Sequence, residues 1–586
     1  MRGMRRRITY QGRLRWPDGF HTGDGRRLGV TDQALLREED GAVALAGTSL
    51  AGVLRADLLR LLRECAPEPL PADRHEEDCR CPVCRLLGPE ARKERRPGPD
   101  GGSQLCASRL RVTGGRSVPV VRVRDHVGID RRTRAAAHGR KYDAEMVEGG
   151  FELQFGLRID DPDADELRYL EAGLRRLAQG WLFLGGKSAG GLGHAELIEL
   201  ERFELAAGSP RQLVEHLLGE DPEAGCARRV LHGREDRSWA ESWELAAAGP
   251  AAGWAQLRIG LAIELPWGFL VNSPADAAMA GFDHGFAREP EGAPRLPGSA
   301  LRGALRSRAE QILRTFGGGA AACDLNRPKC SCHERIEQER QGGSGAQTFD
   351  QELAAHCLAC QVFGSGRYAS PVKLTDFRAT KGGRGEPRGQ ELVAIDRFTG
   401  GAAAHLKFDA QLCDGPVLAG DLFLELGPDR LAPWGLGLLA LVLRDLLLGD
   451  IPLGFGTARG FNEYRARVTG AEAFWLHAPE ALAGLAAPGS PPGRRRWQPA
   501  GAQDLATPAG LAGAAGVPFT GCVESWVAAL HQRLAELVAS AAASASPAAT
   551  GGAPSATTGG ASPAAGGGPS PAEPGDTPAA SEEDRS

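Results

Sequence analysis

The sequence predicts an α+β protein made of two consecutive domains of one fold. Three observations lead to this prediction. Five short sequence blocks occur in the same order in both halves of the chain, both halves contain helical patterns next to strand-like runs, and both carry a cysteine cluster. Solenoid repeats span roughly 20–50 residues, far less than the period seen here, so each half should be a whole domain.

The repeated blocks lie at matching places in the two halves. Insertions fall between the blocks and never change their order. The five pairs are Gly29–Asp32 with Gly281–Asp283, Gly47–Arg55 with Gly298–Arg306, Cys81–Gly88 with Cys357–Gly364, Gly128–Thr133 with Ala394–Thr399, and Lys141–Asp143 with Lys407–Asp409.

Length and composition agree with two soluble domains. The chain has 586 residues, of which 42% are hydrophobic and 24% are charged, with a net charge of −5. No apolar signal core follows the basic start, and the most apolar helical stretch is interrupted by Arg444 and Asp445, so we expect a cytoplasmic protein without a membrane span. Residues 541–586 are rich in Ala, Gly, Ser and Pro and lack aromatic residues, which predicts a disordered tail.

The block that begins at Gly47 or Gly298 predicts an amphipathic helix. Apolar residues recur at spacings of three and four, and a Ser or Thr near the start is suited to capping the helix. Free backbone N–H groups at a helix start, with Arg55, Arg302 and Arg306 nearby, favour phosphate binding. An ordinary capped core helix is the plain alternative.

The cysteine clusters predict structural zinc, about two ions per chain. A tetrahedral zinc needs four ligands, and each Cys-x-x-Cys turn supplies two from one segment. The expected ligands are Cys65, Cys79, Cys81 and Cys84 in the first half, and Cys323, Cys330, Cys357 and Cys360 in the second. His75, Cys332 or His333 could replace one of them. A closed set of four ligands leaves no position for a catalytic water.

Two further blocks predict contacts with an anionic ligand. Glycine-rich segments carry Lys187, Ser188 and Arg459 without the spacing of a Walker loop, and a tight turn explains their glycines nearly as well. The Ile-Asp-Arg-x-Thr blocks place Arg131 and Arg397 within locally basic stretches, as a phosphate backbone requires. Their plain alternative is a solvated loop that the aspartate orders.

Taken together, these blocks resemble the RAMP superfamily of CRISPR-associated proteins. The closer resemblance is to the backbone subunits of type III effector complexes, joined here as a tandem fusion. The resemblance implies an RRM-like, ferredoxin-like core in each half, with a β-hairpin thumb. The implied boundaries are a first RAMP domain at 1–200, a connector at 201–254, a second RAMP domain at 255–468 and a partly helical extension at 469–540, before the tail at 541–586.

The resemblance also implies an activity. In family members that cut RNA, an aspartate in the loop before the Gly-Ser helix severs the target with a divalent metal such as Mg²⁺. The matching positions are Asp32 and Asp283, and Asp24 and Asp276 lie in the same loops. RNA supplies its own nucleophile in the 2′-OH, so a lone carboxylate suffices chemically. A turn or helix-capping role is the alternative for each aspartate.

The sequence therefore predicts an endoribonuclease subunit that binds guide RNA and cuts complementary target RNA at two sites. Its expected partners are guide RNA, target RNA and other type III subunits. The implied RNA contacts are Arg55, Arg131, Lys187, Ser188, Arg302, Arg306, Arg397 and Arg459. Two alternatives remain: a scaffold that binds guide RNA without cutting, and a processor of guide precursor RNA. The processor would use His21, His126 or His284.

Overall fold

The computed structural model describes residues 4–23, 31–65, 79–89, 107–206, 209–219, 223–245, 253–325, 327, 329–342, 348–427, 429–477, 482, 493–497 and 519–545. Asp24, His75 and the predicted tail from residue 546 onwards lie outside them. All elements except the end of the C-terminal helix belong to one compact unit that ends at Ala541.

The first half, residues 4–206, alternates strands with three helices. Its elements are β1 (Arg6–Trp16), β2 (Val43–Ala44), α1 (Gly47–Cys65), α2 (Pro82–Leu87), β3 (Arg111–Thr113), β4 (Arg116–Ser117), β5 (Val121–Ile129), β6 (Ala136–Val147), β7 (Phe151–Asp160), α3 (Ala164–Ala178) and β8 (Glu196–Ala206). A connector follows with α4 (Pro210–Leu218), β9 (Ala227–His232) and α5 (Ser238–Glu241).

The second half, residues 253–477, repeats this series with a longer insertion. Its elements are β10 (Ala255–Trp267), α6 (Pro274–Ala280), β11 (His284–Gly285), β12 (Arg295–Leu296), α7 (Gly298–Ala321), α8 (Cys332–Gln341), α9 (Phe349–Ala354), α10 (Leu358–Phe363), β13 (Val372–Leu374), β14 (Phe377–Ala379), β15 (Glu386–Ile395), β16 (Ala402–Asp414), β17 (Val417–Leu426), α11 (Pro433–Leu447) and β18 (Glu463–Trp475). Outside both copies lie β19 (Gly493–Trp497) and α12 (Phe519–Ala545).

Both halves have a ferredoxin-like sheet. The first sheet runs β3-β7-β1-β8-β9, and the second contains the neighbours β13-β17-β10-β18, all antiparallel. With α1 and α3, or α7 and α11, in the two crossovers, each half has the βαββαβ order of this fold. The prediction of an α+β protein with two domains of one fold is confirmed.

A long β-hairpin extends each half between its second and third sheet strands. The hairpins are β5–β6 and β15–β16, and their registers match: Arg124 faces Ala144 as Gln390 faces Ala410. The loop before the Gly-Ser helix adds to the hairpin in parallel, at Gln33 in the first half and at His284 in the second. The predicted catalytic aspartates lie beside these junctions.

The Gly-Ser helices pack as their spacing predicts. The buried side chains of α1 include Leu50, Leu54, Leu58 and Leu61, and those of α7 include Leu301, Leu305, Ala309 and Leu313. One face of each helix therefore packs on its sheet, and the start of the helix contacts other elements.

The two halves share a core. Phe423 and Phe474 lie on the outer face of the second sheet but pack within the core of the first half. Phe183 meets Phe423 at a ring-centroid distance of 5.0 Å. Beside them, the buried Arg176 bonds Asp57 at 2.7 Å and lies 4.2 Å from the Phe474 ring centre. The second sheet thus rests on the helices of the first half.

Helices also lie outside the two copies. One of them, α4, lies in the connector. The C-terminal helix α12 inserts Trp526 and Leu530 into the core of the second half, and it continues to Ala545, past the predicted start of the tail. Within the described residues, no helix is long and apolar enough to cross a membrane.

Candidate functional site

Each half holds its predicted catalytic aspartate in the same reciprocal hydrogen bonds. The backbone N–H of Asp32 donates to Oδ1 of Asp143 at 2.7 Å, and the backbone N–H of Asp143 donates to Oδ2 of Asp32 at 3.1 Å. Asp283 and Asp409 repeat this pattern at 2.7 and 3.0 Å. Asp32 and Asp283 are exposed. The hairpin therefore fixes each loop and presents its carboxylate to solvent.

A cation from each glycine-rich loop lies over an aromatic ring of the hairpin. Lys187 Nζ lies 4.9 Å from the centre of Tyr142, and the Arg459 guanidinium lies 5.1 Å from the centre of Phe408. Tyr142 and Phe408 directly precede the aspartates that hold the loops. Side chains at adjacent strand positions point to opposite faces, so the cation and the aspartate pair lie on opposite faces of the hairpin.

The loops achieve this placement through left-handed backbone conformations. Lys187 has φ 59°, and it leads into a short 3-10 turn at Ser188–Gly190. In the second half, Gly456 and Gly460 have φ near 80° and flank a 3-10 turn at Thr457–Arg459. Burial, with a contribution from nearby Arg124, lowers the pKa of Lys187 to about 8. Its ammonium therefore loses its proton around pH 8, well below the usual range for lysine.

The histidines near the two sites differ. His126 stacks on Tyr142 at 4.8 Å, and burial lowers its pKa to about 4, so it is neutral at physiological pH. His21 Nδ1 lies 2.8 Å from the carbonyl oxygen of Glu145, and burial lowers its pKa as well. His284 meets Phe408 edge-on at 5.4 Å. None of the three contacts the reciprocal aspartate pairs through a described hydrogen bond.

Of the two alternative aspartates, only Asp276 lies within the described residues. It is buried in α6, where its Oδ2 accepts from the backbone N–H of Arg288 at 3.2 Å. Arg122 lies 3.7 Å from its other oxygen. These contacts give Asp276 a structural role.

A comparison with protein-family models matches the RAMP superfamily over residues 19–196 and 276–461. The two matched regions lie one in each half and together cover more than half of the chain. The chain belongs to the RAMP superfamily. This membership supports a role as a CRISPR-associated subunit of the type III kind. A search of the curated proteins finds no match.

In both RAMP domains, the helix arginines bond protein carbonyls. Arg55 donates to the carbonyl oxygen of Leu87 and Arg302 to that of Phe363, at equivalent ends of the two cysteine-bearing helices. Arg306 donates to Gly364 O at 3.1 Å and to Glu310 at 2.8 Å. The three arginines therefore help to pack the cysteine-bearing helices, a role that the sequence pattern did not indicate, and their binding of RNA stays a prediction.

The Ile-Asp-Arg-x-Thr blocks form the two hairpin tips. Asp130 accepts from the backbone N–H groups of Arg132 and Thr133, at 2.9 and 2.7 Å. Asp396 does the same for its own loop, with both distances 2.8 Å. The aspartates therefore order the turns. Arg131 is ion-paired with Glu310 of the other domain at 2.9 Å, whereas Arg397 is exposed.

The second cysteine cluster gathers four buried sulfurs. Cys323, Cys332, Cys357 and Cys360 place their Sγ atoms within 4.8 Å of one another. Cys332 occupies the place expected for Cys330, the substitution that the sequence left open, because it begins α8 and is buried there. Backbone N–H groups of Cys323 and Cys357 donate to sulfurs of the cluster at 3.3 and 3.2 Å. Four sulfurs with such support fit a closed zinc site.

The first cluster brings together three sulfurs, those of Cys79, Cys81 and Cys84. The Cys84 backbone N–H donates to Cys81 Sγ at 3.3 Å. Cys65 stands outside this group and hydrogen-bonds Tyr169, contrary to its expected place as a ligand. The segment 66–78, which contains the alternative ligand His75, lies outside the described residues. Three thiolates supply most of a zinc site.

Four residues next to the predicted sites were not predicted as functional. Asp143, Asp409, Tyr142 and Phe408 lie in the repeated Lys-Tyr/Phe-Asp block, which the sequence shows in both halves. The repetition itself was the available signal. What the sequence could not show is that the block faces the aspartate loop, more than a hundred residues earlier in the chain.

Proposed function

We propose that this chain is a backbone subunit of a type III CRISPR ribonucleoprotein, and that it binds guide RNA and cleaves target RNA at two sites. The observation that carries this proposal is the reciprocal aspartate pair, which occurs in both domains with nearly identical distances. Two solvent-facing carboxylates, each fixed by a hairpin, are suited to act on two separate phosphates of one bound strand.

The chemistry requires little of the protein. Each pair uses Oδ2 of Asp32 or Asp283 for the hairpin and leaves Oδ1 without a hydrogen bond among the described residues. That oxygen can accept the proton of an RNA 2′-OH as the 2′-oxygen attacks the neighbouring phosphorus. The bond from phosphorus to the 5′-oxygen of the next nucleotide then breaks, which leaves a 2′,3′-cyclic phosphate and a 5′-hydroxyl that takes its proton from water. A divalent cation such as Mg²⁺, when bound, would neutralise charge on that phosphate.

The cations of the glycine-rich loops anchor the strand in this proposal. A cation on a nucleic-acid-binding surface attracts the phosphate backbone. Lys187 and Arg459, each held over an aromatic ring of its hairpin, offer a cation in each domain. Because they lie across the hairpin from the aspartates, they hold the RNA at a different nucleotide from the one that is cut.

Cleavage by the reconstituted particle tests the proposal. The chain is assembled with a defined guide RNA, labelled complementary RNA is added with Mg²⁺, and wild type is compared with the double variant Asp32→Ala, Asp283→Ala. We expect the double variant to bind guide and target normally and to leave the target intact. Unchanged cleavage by the double variant would assign the nuclease to another subunit.

A non-catalytic scaffold is the second candidate, and one observation favours it. The reciprocal bonds tie each loop to its hairpin, which is a structural task that the aspartates perform without any chemistry. Under this reading, the double variant loses guide affinity or thermal stability, and wild type does not cut. The same assay therefore separates the two candidates.

A further inference from the structure

Three of the ion pairs between the two RAMP domains start from the first hairpin. Two of the arginines lie on β5 and the third lies at the hairpin tip, and their acidic partners are buried in the second domain. The pairs are Arg122–Asp276 at 3.7 Å, Arg124–Asp376 at 2.7 Å and Arg131–Glu310 at 2.9 Å. The first hairpin therefore lies along the second domain from its base to its tip.

The three pairs contact different parts of the second domain. Asp376 accepts the first backbone N–H of α7 at 2.8 Å, and Glu310 lies further along the same helix. Asp276 instead lies in α6, in the connection between β10 and α7 that carries Asp283. The Arg122 pair thus joins the first hairpin to the loop of the second proposed cleavage site.

A short path through the backbone leads from Asp276 to Asp283. The carbonyl oxygen of Ala277, which follows Asp276, accepts the N–H of Phe282 at 3.1 Å. Phe282 directly precedes Asp283. On the other side of the loop, Gly285 packs so closely on α6 that a Cβ at position 285 would lie 2.7 Å from the Cα of Ala277. A shift of α6 would therefore move the loop that carries Asp283.

Arg122 is held from its own side as well. Its Nε lies 2.7 Å from Oε1 of Glu148, a buried residue that follows β6 directly. An arginine side chain has several rotatable bonds, and this pair restricts them before the domains meet. Asp276 is therefore paired with a guanidinium that the base of the first hairpin already holds in place.

The second hairpin repeats this base without the contact between domains. Arg122 faces Met146 as Arg388 faces Leu412, so Arg388 is the counterpart of Arg122. Arg388 is paired with Asp414 at 2.6 Å, at the end of its own hairpin. Among the residues that the structure describes, Arg388 forms no ion pair with another domain. Comparison of the two arginines therefore separates the effect of a hairpin base from that of a contact across the junction.

We propose that Arg122, a residue of the first domain, is a positioning residue for the second cleavage site. Its cation holds Asp276, and through α6 it fixes the loop that presents Asp283. Small displacements of a reacting group slow catalysis strongly, so loss of this contact should slow cleavage at the second position. This inference rests on the proposed function, and it makes the second site dependent on the hairpin of the first domain.

Amide hydrogen exchange in the assembled particle tests this proposal without relying on cleavage. Peptides that cover residues 281–285 report the N–H groups of Phe282 and Asp283. Wild type is compared with Arg122→Ala, Arg122→Lys, Asp276→Asn and the control Arg388→Ala. Asp276→Asn removes the charge and keeps an oxygen for the backbone N–H of Arg288. Fragment ends of labelled target RNA are mapped with the same particles.

We expect Arg122→Ala and Asp276→Asn each to speed exchange in this loop at least severalfold. Each should also slow cleavage at the second target position about tenfold and leave the first position unchanged. The double variant should be no worse than either single one, because both changes break the same pair. Arg122→Lys keeps the charge and should retain most of the protection and of the rate, and Arg388→Ala should change neither.

Three results would overturn the proposal. These are unchanged exchange at residues 281–285 in Arg122→Ala, an equal effect of Arg388→Ala, and equal slowing of cleavage at both target positions. Additive effects of Arg122→Ala and Asp276→Asn would likewise contradict action through one pair. A wild-type particle that cuts nothing would refute the proposed nuclease activity, and the exchange measurement would still decide whether Arg122 holds the loop.

Discussion

At the scale of single residues, the structure adds a second carboxylate to each predicted cleavage site. Asp143 and Asp409 receive the loop N–H and donate their own N–H to the loop aspartate. Their side chains do not have to meet the substrate for this role. In the proposed function, they act on cleavage by holding Asp32 and Asp283 in place.

We predict that Asp143→Ala slows cleavage at one target position about fivefold and leaves the other unchanged. Loss of one hydrogen bond costs about 1 kcal/mol, which corresponds to roughly a fivefold change in rate. Asp143→Asn keeps an acceptor oxygen for the Asp32 N–H and should retain most of the rate. Single-turnover cleavage of labelled target measures this, and equal loss in the Ala and Asn variants would contradict a positioning role.

We predict that RNA binding loses the contribution of Lys187 as pH rises from about 7 to about 9. The folded pKa of Lys187 is lowered to about 8 by burial, so its ammonium is charged below that pH and neutral above it. Lys187→Arg should remove this part of the pH dependence, because a guanidinium stays protonated throughout the range. Affinity measured by fluorescence anisotropy at several pH values checks this, and parallel profiles for the two proteins would refute it.

Residue roles were the least predictable from sequence. Spacing alone placed Arg55, Arg302 and Arg306 near a helix start. It could not reveal that their guanidinium groups donate hydrogen bonds to carbonyl oxygens at the cysteine-bearing helices. The two aspartates were located because their loops recur before the same helix. Their hydrogen-bond partners lie more than a hundred residues away in the sequence, and only folding of the hairpin brings them into contact.

At the scale of elements, helices and strands formed largely where periodicity predicted them. The Gly-Ser helices bury their leucines at spacings of three and four. The zinc ligands in the cysteine insertions were harder to predict, because the cysteine that joins the cluster depends on where a short helix begins. Cys330 lies before α8 and Cys332 begins it, so only the latter faces the other three sulfurs.

We predict that Cys332→Ser removes about one zinc ion per chain and lowers the melting temperature, while Cys330→Ser does neither. A structural site contributes roughly 10–16 kcal/mol to the folding of its segment, so loss of one thiolate should be severe. The matched pair of variants differs by two positions in one loop. Elemental analysis and thermal melts of both proteins provide the check, and a metal loss confined to Cys330→Ser would reverse the ligand assignment.

At the scale of the whole molecule, the repeated fold is used asymmetrically. Arg124 and Asp376 join the domains, whereas Gln390, at the position of Arg124 in the second hairpin, carries no charge. The sequence revealed the repeat and its order. It could not reveal that Arg124 is buried against Asp376, since that depends on how one domain rests on the other.

We predict that Arg124→Ala destabilises the chain by about 3 kcal/mol, because it leaves the buried Asp376 carboxylate without its closest cation. Arg295, 3.8 Å from Asp376, compensates only in part. The matched change Gln390→Ala, at the equivalent position of the second hairpin, should have little effect. Urea unfolding of both variants measures the difference in the free energy of unfolding. Similar decreases in the two variants would show that the Arg124–Asp376 pair does not stabilise the domain junction.

The central claim is that each RAMP domain cuts at its own position, and mapping of fragment ends from the single variants tests it most directly. With 5′-labelled target in the assembled particle, we predict that Asp32→Ala removes one fragment boundary and Asp283→Ala removes a different one, while guide binding is unchanged. Loss of the same boundary in both variants, or of neither, would contradict the claim that two equivalent loops act independently.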